Sequence, residues 1–331
     1  MYGLLPMGIV DGRGRCINYA RISVTDRCNY RCVYCMPEEG VKSRAHADIM
    51  RYEDILWLSR ILVSLGIRHI RFTGGEPLVR RGMADFLVSF REEFPGLDIS
   101  MTTNASLLPS FAGTIERARL SGMNISLDTL DSDKFAHMTR LGDISDVMSG
   151  IASAAERGIP NIKTNTVVMR GFNEHDLPDI VKFSWSHGLI PRMIEFMPMR
   201  GNLWGRETFV PSAEIFDLLK PMGDWELEGN AEKKTACGPA KYYRNAHNGL
   251  KVGVIEAISN HFCSECNRLR ITAAGNMRAC LFNNAETPLL PAIRDMDEAA
   301  AREAILTGIA LKPRKWNDAA DGVSHMSDIG G

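Results

Sequence analysis

Between residues 50 and 200 the chain repeats one local pattern: an amphipathic helical stretch, a glycine, then a short β-rich run. Leu65-Gly66 precedes His69-Ile-Arg-Phe-Thr73, and Ser121-Gly122 precedes Asn124-Ile-Ser-Leu-Asp128. Arg157-Gly158 precedes Asn161-Ile-Lys-Thr-Asn165, and His187-Gly188 precedes Arg192-Met-Ile-Glu-Phe-Met197. Pro95-Gly96 before Asp98-Ile-Ser-Met-Thr102 is a looser instance. Glycine suits a helix end because the chain leaves it in a left-handed conformation that a β-carbon disfavours. The helical stretches carry apolar residues at helical spacing, such as Ile55, Leu58, Ile61, Leu62 and Leu65. With Ala20-Arg-Ile-Ser-Val-Thr25 as the opening strand, this predicts about six βα units. Such alternation implies a parallel sheet covered by helices, either an open doubly wound sheet or a full or partial barrel.

After residue 200 the rhythm stops. Residues 201–211 read as a linker, 212–219 as a short helix and 295–306 as an Ala-, Glu- and Arg-rich helix, with mixed strands and loops between and a loop-like tail ending in Gly330-Gly331. The expected division is 1–200 and 201–331. At 331 residues and 45% hydrophobic, the chain can bury a large core, as one big domain or one domain with an appendage. Its net charge of −1 supplies no global field for nucleic acid or membrane, so an anionic ligand must meet a local cluster of bases. No run approaches the roughly 18 apolar residues of a membrane helix. The first ten residues lack the basic start and long apolar core of a signal peptide, so a cytoplasmic location is expected.

Polar residues gather at the C-terminal ends of the predicted strands: Thr73-Gly-Gly-Glu-Pro77, Thr102-Thr-Asn104, Ser126-Leu-Asp128, Asn165 and Met197. Parallel βα architectures place those ends on one face, where ligands bind. Singly each is a turn or cap residue; together they predict one site.

Six of the eight cysteines fall into two groups, Cys28/Cys32/Cys35 and Cys263/Cys266/Cys280, with Cys16 and Cys237 apart. A disulfide framework suits small secreted chains with thin cores, which this is not. The first group opens a loop directly after the first predicted strand. Three thiolates there can hold three corners of a cubane iron–sulfur cluster and leave one iron open. A structural zinc site needs four ligands, and the nearest other candidate is His46.

Cys28-Asn-Tyr-Arg-Cys32-Val-Tyr-Cys35 after the first strand, followed by Thr73-Gly74-Gly75-Glu76-Pro77 after the second, resembles the radical S-adenosylmethionine superfamily. The resemblance implies that the glycine backbone meets the methionine amino group and that Tyr34 approaches the adenine. In the second group, Cys263-Ser-Glu-Cys266 is followed thirteen residues later by Cys280. It suits either zinc, with His261 as a fourth ligand, or a second cubane with one open iron, and spacing alone does not decide. Arg268 and Arg270 alternate on a predicted strand, and Arg21, Arg71 and Arg192 lie in or beside barrel strands. Arginine forks match phosphate oxygens, so five around one mouth point to a polyphosphate.

From Arg21-Ile-Ser-Val-Thr-Asp-Arg-Cys-Asn29 through Ile194-Glu-Phe-Met197 and Ala240-Lys-Tyr-Tyr-Arg244 to the Gly-Gly terminus, the chain is similar to the GTP 3′,8-cyclase family of molybdenum cofactor biosynthesis. That resemblance implies a partial (βα)6 TIM-like barrel of the radical SAM type in 1–200, and a C-terminal extension carrying a second iron–sulfur cluster in 201–331. It implies a reducing 4Fe-4S cluster on Cys28, Cys32 and Cys35 and a substrate-binding one on Cys263, Cys266 and Cys280. Tyr34, Gly75, Ser126 and Met197 match positions that cradle S-adenosylmethionine. Arg21, Arg71, Thr102, Lys163, Arg268, Leu269 and Arg270 match positions that hold GTP, Arg192 matches a further active-site arginine, and Gly330 and Gly331 match a tail near the radical site. His69 stands where the family often has lysine, which puts one phosphate contact in doubt, and Ala105 replaces the usual glycine after Thr-Thr-Asn, a tolerable turn change. The implied chemistry is reductive cleavage of S-adenosylmethionine, removal of the ribose 3′ hydrogen of GTP, and closure of C3′ onto guanine C8. Implied partners are a flavodoxin- or ferredoxin-like electron donor, the downstream cyclic pyranopterin monophosphate synthase and a second copy in a homodimer.

Overall fold

The computed structural model describes residues 8–41, 44–228, 238–316 and 326–329. A short hairpin of β1 (Ile9–Val10) and β2 (Cys16–Ile17) precedes β3 (Tyr19–Ser23). Then follow α1 (Tyr52–Ser64), β4 (His69–Thr73), α2 (Met83–Glu93), β5 (Asp98–Thr103), α3 (Leu108–Arg117) and β6 (Gly122–Ser126). The series continues with α4 (Ser132–Thr139), α5 (Ile144–Glu156), β7 (Ile162–Val168), α6 (Leu177–Ser186), β8 (Ile190–Glu195) and α7 (Ser212–Leu219). Strands β3 to β8 pair in chain order, every pair parallel. The expected six βα units are present, as a partial barrel.

Alternation along each strand decides what faces the barrel. In β3, Ala20 and Ile22 point outward into the helical layer with no exposure, while Tyr19 and Arg21 point the other way. Outside β4, Phe72 meets Phe86 and Phe90 of α2 edge-on, at centroid distances of 5.6 and 4.9 Å. Helix starts are capped where the sequence offers acceptors: Asp131, Asp143 and Asp297 receive backbone N–H groups of Lys134, Ser145 and Ala300.

The remaining elements are β9 (Trp225–Leu227), β10 (Lys241–Asn245), β11 (Lys251–Ile255), β12 (Arg268–Ile271), β13 (Asn276–Arg278), β14 (Thr287–Pro288), α8 (Leu290–Arg294), α9 (Glu298–Ala310) and α10 (Met326–Ile329). They extend the barrel sheet at both edges. β12 runs parallel to β3, with Arg270 opposite Arg21, and β11 runs parallel to β8, with Gly253 opposite Arg192. The result is one twelve-stranded sheet, ordered β14-β13-β12-β3-β4-β5-β6-β7-β8-β11-β10-β9.

Gly66, Gly158 and Gly188 take the expected positive φ after their helices. Gly122 does not. Arg119 (φ 44°) makes the left-handed exit from α3, and Gly122 is already the first residue of β6, where an added Cβ would lie 3.2 Å from the Asn161 carbonyl. Gly96 likewise has no positive φ. Asn165 sits mid-strand in β7 rather than at its end, because β7 extends to Val168. No described helix is long and apolar enough to cross a membrane.

Candidate active site

The C-terminal ends of the barrel strands and the segment between β11 and β12 enclose a single large cavity. All six grouped cysteines line it, and all are free thiols.

The first group occupies the loop leaving β3. Its tip is a tight turn, with the Cys35 and Met36 N–H groups donating to the Cys32 carbonyl at 2.9 and 3.2 Å. The loop rests on the strand-end glycines. Gly75 N–H donates to the Thr25 carbonyl at 3.0 Å and Glu76 N–H to that of Arg27 at 2.9 Å. A Cβ at Gly75 would fall 2.2 Å from the Arg27 carbonyl oxygen and 2.9 Å from Cys28 Cβ. Glycine is therefore demanded here by the cysteine loop itself, besides any ligand. The buried Glu76 carboxylate accepts from Leu78 N (3.1 Å), Thr103 Oγ1 (2.8 Å) and Asn104 N (2.7 Å), and burial pushes it up to about 7. Tyr34 donates its hydroxyl to Asp128 Oδ2 at 2.6 Å, and Asp128 Oδ1 accepts Val167 N–H at 2.9 Å. Burial pushes the Cys28 thiol up to about 11 and raises Cys32 well above its ordinary value. These thiols stay protonated until a cation takes the place of the protons.

The second group is assembled from three places: Cys263 in a helical turn, Cys266 just before β12 and Cys280 just after β13. Its surroundings are cationic. The Arg268 guanidinium lies over the Phe262 ring at 4.8 Å and reaches Cys266 Sγ at 3.9 Å. Burial would raise the Cys266 thiol, but Arg268 and Lys312 outweigh it and hold the thiol at about 6. Among the described residues no group of three or more His, Cys, Asp or Glu side chains is arranged to hold a single metal ion.

Between the triads stands a wall of bases. Arg270, Arg21 and Arg71 share one register row across β12, β3 and β4, and Arg192 approaches from β8. All four line the cavity. Burial and mutual repulsion lower Arg270 to about 10 and pull Arg21 well down. Arg192 is held by Asn165 Oδ1, at 3.0 Å from Nε and 2.6 Å from Nη2. Arg71 Nε, Thr102 Oγ1 and Asn124 Oδ1 are buried without a hydrogen-bond partner among the described residues. All three residues line this cavity. Crowded cations and orphaned polar atoms together demand a polyanionic, hydrogen-bonding occupant.

Tyr34, Gly75, Ser126 and Met197 line the same cavity. Two other predicted residues do not line it. The Leu269 side chain alternates to the outer face of β12 and is buried in the core, so only its backbone is available to a ligand. Lys163 points into the barrel from β7, where burial and then Arg192 and Arg71 pull it down to about 8. His69 stacks on Tyr19 (4.3 Å, 12°), and burial, with Arg71, Lys163 and Arg21, lowers it to about 3. At this position the barrel therefore favours a neutral imidazole. Gly330, Gly331 and Cys237 lie outside the described residues.

The sequence reading marked Asp128 but missed Asn124 and Lys312, which line the cavity, and Arg15, which lies behind it. Asn124 sits in a strand already marked for the site. Arg15 and Lys312 carry no motif and only the fold brings them in.

Comparison with known proteins fits this geometry. The Radical SAM superfamily profile matches residues 22–184, and the Molybdenum Cofactor Synthesis C profile matches 190–318. The chain is 41% identical over 330 residues to a GTP 3′,8-cyclase of Geobacter sulfurreducens, covering 98% of this chain and all of that one. It is 43% identical over 332 residues to a GTP 3′,8-cyclase of Pelotomaculum thermopropionicum, covering 97% and 99%. The chain belongs to the GTP 3′,8-cyclase family. Among solved structures, Streptococcus suis SuiB bound to S-adenosylmethionine shares the fold with a TM-score of 0.62 at 14% identity, covering 89% of this chain and 68% of that one. GTP 3′,8-cyclases are radical SAM enzymes of molybdenum cofactor biosynthesis, and the radical SAM match brings with it one 4Fe-4S cluster and S-adenosylmethionine.

The first triad fits that cluster: three free thiols on one tight loop, cushioned by bare backbone, facing a cavity with room beside them.

Proposed function

We propose that this chain binds GTP between two 4Fe-4S clusters and converts it to (8S)-3′,8-cyclo-7,8-dihydroguanosine 5′-triphosphate. The observation that carries this reading is the shared cavity, in which two cysteine triads flank one row of buried arginines.

Cys28, Cys32 and Cys35 would hold the reducing cluster, and Tyr34, Gly75, Ser126 and Met197 the S-adenosylmethionine beside it. When bound, these groups supply a one-electron reductive cleavage that yields the hydrogen-abstracting species. Cys263, Cys266 and Cys280 would hold the second cluster, whose open corner suits the guanine edge. Arg21, Arg71, Arg268 and Arg270 would clamp the triphosphate, with Thr102 supplying a hydroxyl, the Leu269 backbone lying alongside and Lys163 supplying charge from below. Arg192, fixed by Asn165, would act next to the reacting ribose. Held at both ends, the nucleotide has little freedom to turn, and that restriction favours ring closure between C3′ and C8 over escape. Residues 1–200 thus generate the radical and 201–331 hold the base.

Ile329, one residue before the terminal glycines, is buried with Met199 and Phe282 against Met197 and Cys280. This supports a role for Gly330 and Gly331 at the cavity, and one bulky residue added after Gly331 is expected to abolish cyclisation while leaving both clusters assembled. A flavodoxin or ferredoxin as electron donor, transfer of product to cyclic pyranopterin monophosphate synthase, and a homodimer rest on family membership alone.

The test is anaerobic incubation of reconstituted protein with GTP, S-adenosylmethionine and dithionite. Hydrogen label at the ribose 3′ position should appear in 5′-deoxyadenosine alongside a cyclised nucleotide. Deoxyadenosine formed without label transfer would refute the assignment of GTP as substrate.

A further inference from the structure

Lys312 follows α9 and is only 5% exposed. Its Nζ donates to the carbonyls of Arg268 (2.7 Å) and Ala279 (2.6 Å) and hydrogen-bonds the Cys266 thiol. Among the described residues no carboxylate forms an ion pair with it, and a buried ammonium is costly without a counter-charge. The groups placed to supply that charge, once a bound metal has displaced their protons, are the sulfurs of Cys266 and Cys280, whose chain neighbours at 268 and 279 hold the ammonium.

Its position is fixed from behind. Arg15 donates Nη2 to the Lys312 carbonyl (3.3 Å), and Nη1 to those of Pro313 (3.1 Å) and Cys263 (2.9 Å), while its Nε meets Asp11 Oδ2 at 2.6 Å. Both members of the Asp11–Arg15 pair are buried. The backbone of Trp316 hydrogen-bonds the Cys263 thiol. Residues 312–316, braced by the first hairpin of the chain, therefore touch the surroundings of every cysteine in the second triad.

We propose that Lys312 is the positioning residue of the second triad: a fixed cation, set by Arg15, that offsets the negative charge of a cluster bound there and raises its reduction potential. The inference rests on the second-cluster reading above and deepens it. A buried positive charge beside a cluster favours the reduced state, which is the more negative one. Arg268 and Lys312 both line the cavity, but Arg268 lies over the Phe262 ring, whereas the Lys312 ammonium is committed to two backbone carbonyls beside the triad.

The test uses the full chain with Cys28, Cys32 and Cys35 replaced by Ala, so that only the second triad can hold iron, reconstituted anaerobically. Iron content, a mediated redox titration followed by EPR, and GTP affinity are compared for this parent, Lys312→Met and Lys312→Arg. Lys312→Met should retain iron but shift the one-electron reduction equilibrium about tenfold toward the oxidised cluster, a potential lower by about 59 mV. Lys312→Arg should titrate near the parent. Loss of iron in Lys312→Met alone, with Lys312→Arg loaded, also supports a required cation. An unchanged potential in Lys312→Met would overturn the proposal, as would weakened GTP binding without a potential change, or loss of iron in both variants, which would make the role one of shape. A parent that holds no iron would refute the second cluster itself, before Lys312 is compared.

Discussion

The two cysteine triads open onto the same cavity, yet they are built in opposite ways. The first is local: eight residues of one loop, pressed against the strand-end glycines, in a setting where burial keeps Cys28 at about 11 and the nearby acidic groups are Glu76 and Asp128. The second draws on residues 263, 266 and 280 and on supports at 15 and 312, and its cations bring Cys266 to about 6. Negative charge beside a bound cluster favours loss of an electron, whereas fixed cations beside one offset negative charge, whether its own or a triphosphate's. The contrast supports the division of work proposed above, a strong reductant on one side and a substrate holder on the other.

The sharpest way to break that contrast is to delete one ligand from each triad. Cys32→Ala should reduce 5′-deoxyadenosine formation to background. Cys266→Ala should still form it, slowly and without cyclised nucleotide, and chromatography of both products distinguishes the two. Equal loss of deoxyadenosine in both variants would erase the proposed division.

Gly75→Ala probes the local site alone. With a Cβ 2.2 Å from the Arg27 carbonyl the backbone must shift, costing about 1–3 kcal/mol or more. Denaturant unfolding should show the loss, and iron at the second triad should persist. On the other wall, Arg71→Ala removes a buried, unpaired guanidinium edge. It should weaken GTP binding by about 1.5–3 kcal/mol, or roughly 10- to 150-fold, in equilibrium binding, with S-adenosylmethionine affinity unchanged.

Lys163 gives a pH handle. Its folded value of about 8 lies below the ordinary 10.5, so between them the unfolded chain carries more protons and stability rises with pH. Binding runs the other way: a triphosphate favours the charged ammonium, so GTP affinity should fall as pH rises from 7 to 9. Lys163→Arg should flatten that fall, and an unchanged slope would remove Lys163 from the phosphate site. The smallest effect belongs to Ala105, whose φ of 67° burdens a side chain. Ala105→Gly should stabilise the fold by about 0.5–1 kcal/mol in thermal unfolding.

The same contrast explains what the sequence made legible. Strand β4 and helix α7 match the residues expected from pattern alone, and β3 and β5 fall within a residue or two, because each is fixed by local periodicity and a nearby turn. The first triad was equally plain, since all its parts lie within eight residues. Arg268 and Arg270 could be read as facing one way by strand alternation, and both line the cavity. What stayed hidden depended on distance along the chain. Arg15 reaches carbonyls at 263, 312 and 313, and nothing in Gly-Arg-Cys or Leu-Lys-Pro announces the meeting. Gly122 misled because Arg119 took the strained conformation instead, leaving the glycine to a crowded strand start. Asn124 differs again: its strand was visible, but its orphaned oxygen is a property of the enclosed interior.

The sheet order has a consequence for how the protein comes into being. β12 must zip onto β3, some 250 residues earlier in the chain, and β11 onto β8. During synthesis strands β3 to β8 are made first, and most of their pairings are between neighbours in sequence. The later strands must then find edges at β3 and β8, and the pairing with β3 is a long-range search that is slow by nature. A chain cut short or stalled before residue 280 would therefore have no completed place for a nucleotide, so the seam between first and last strands times the maturation of the site.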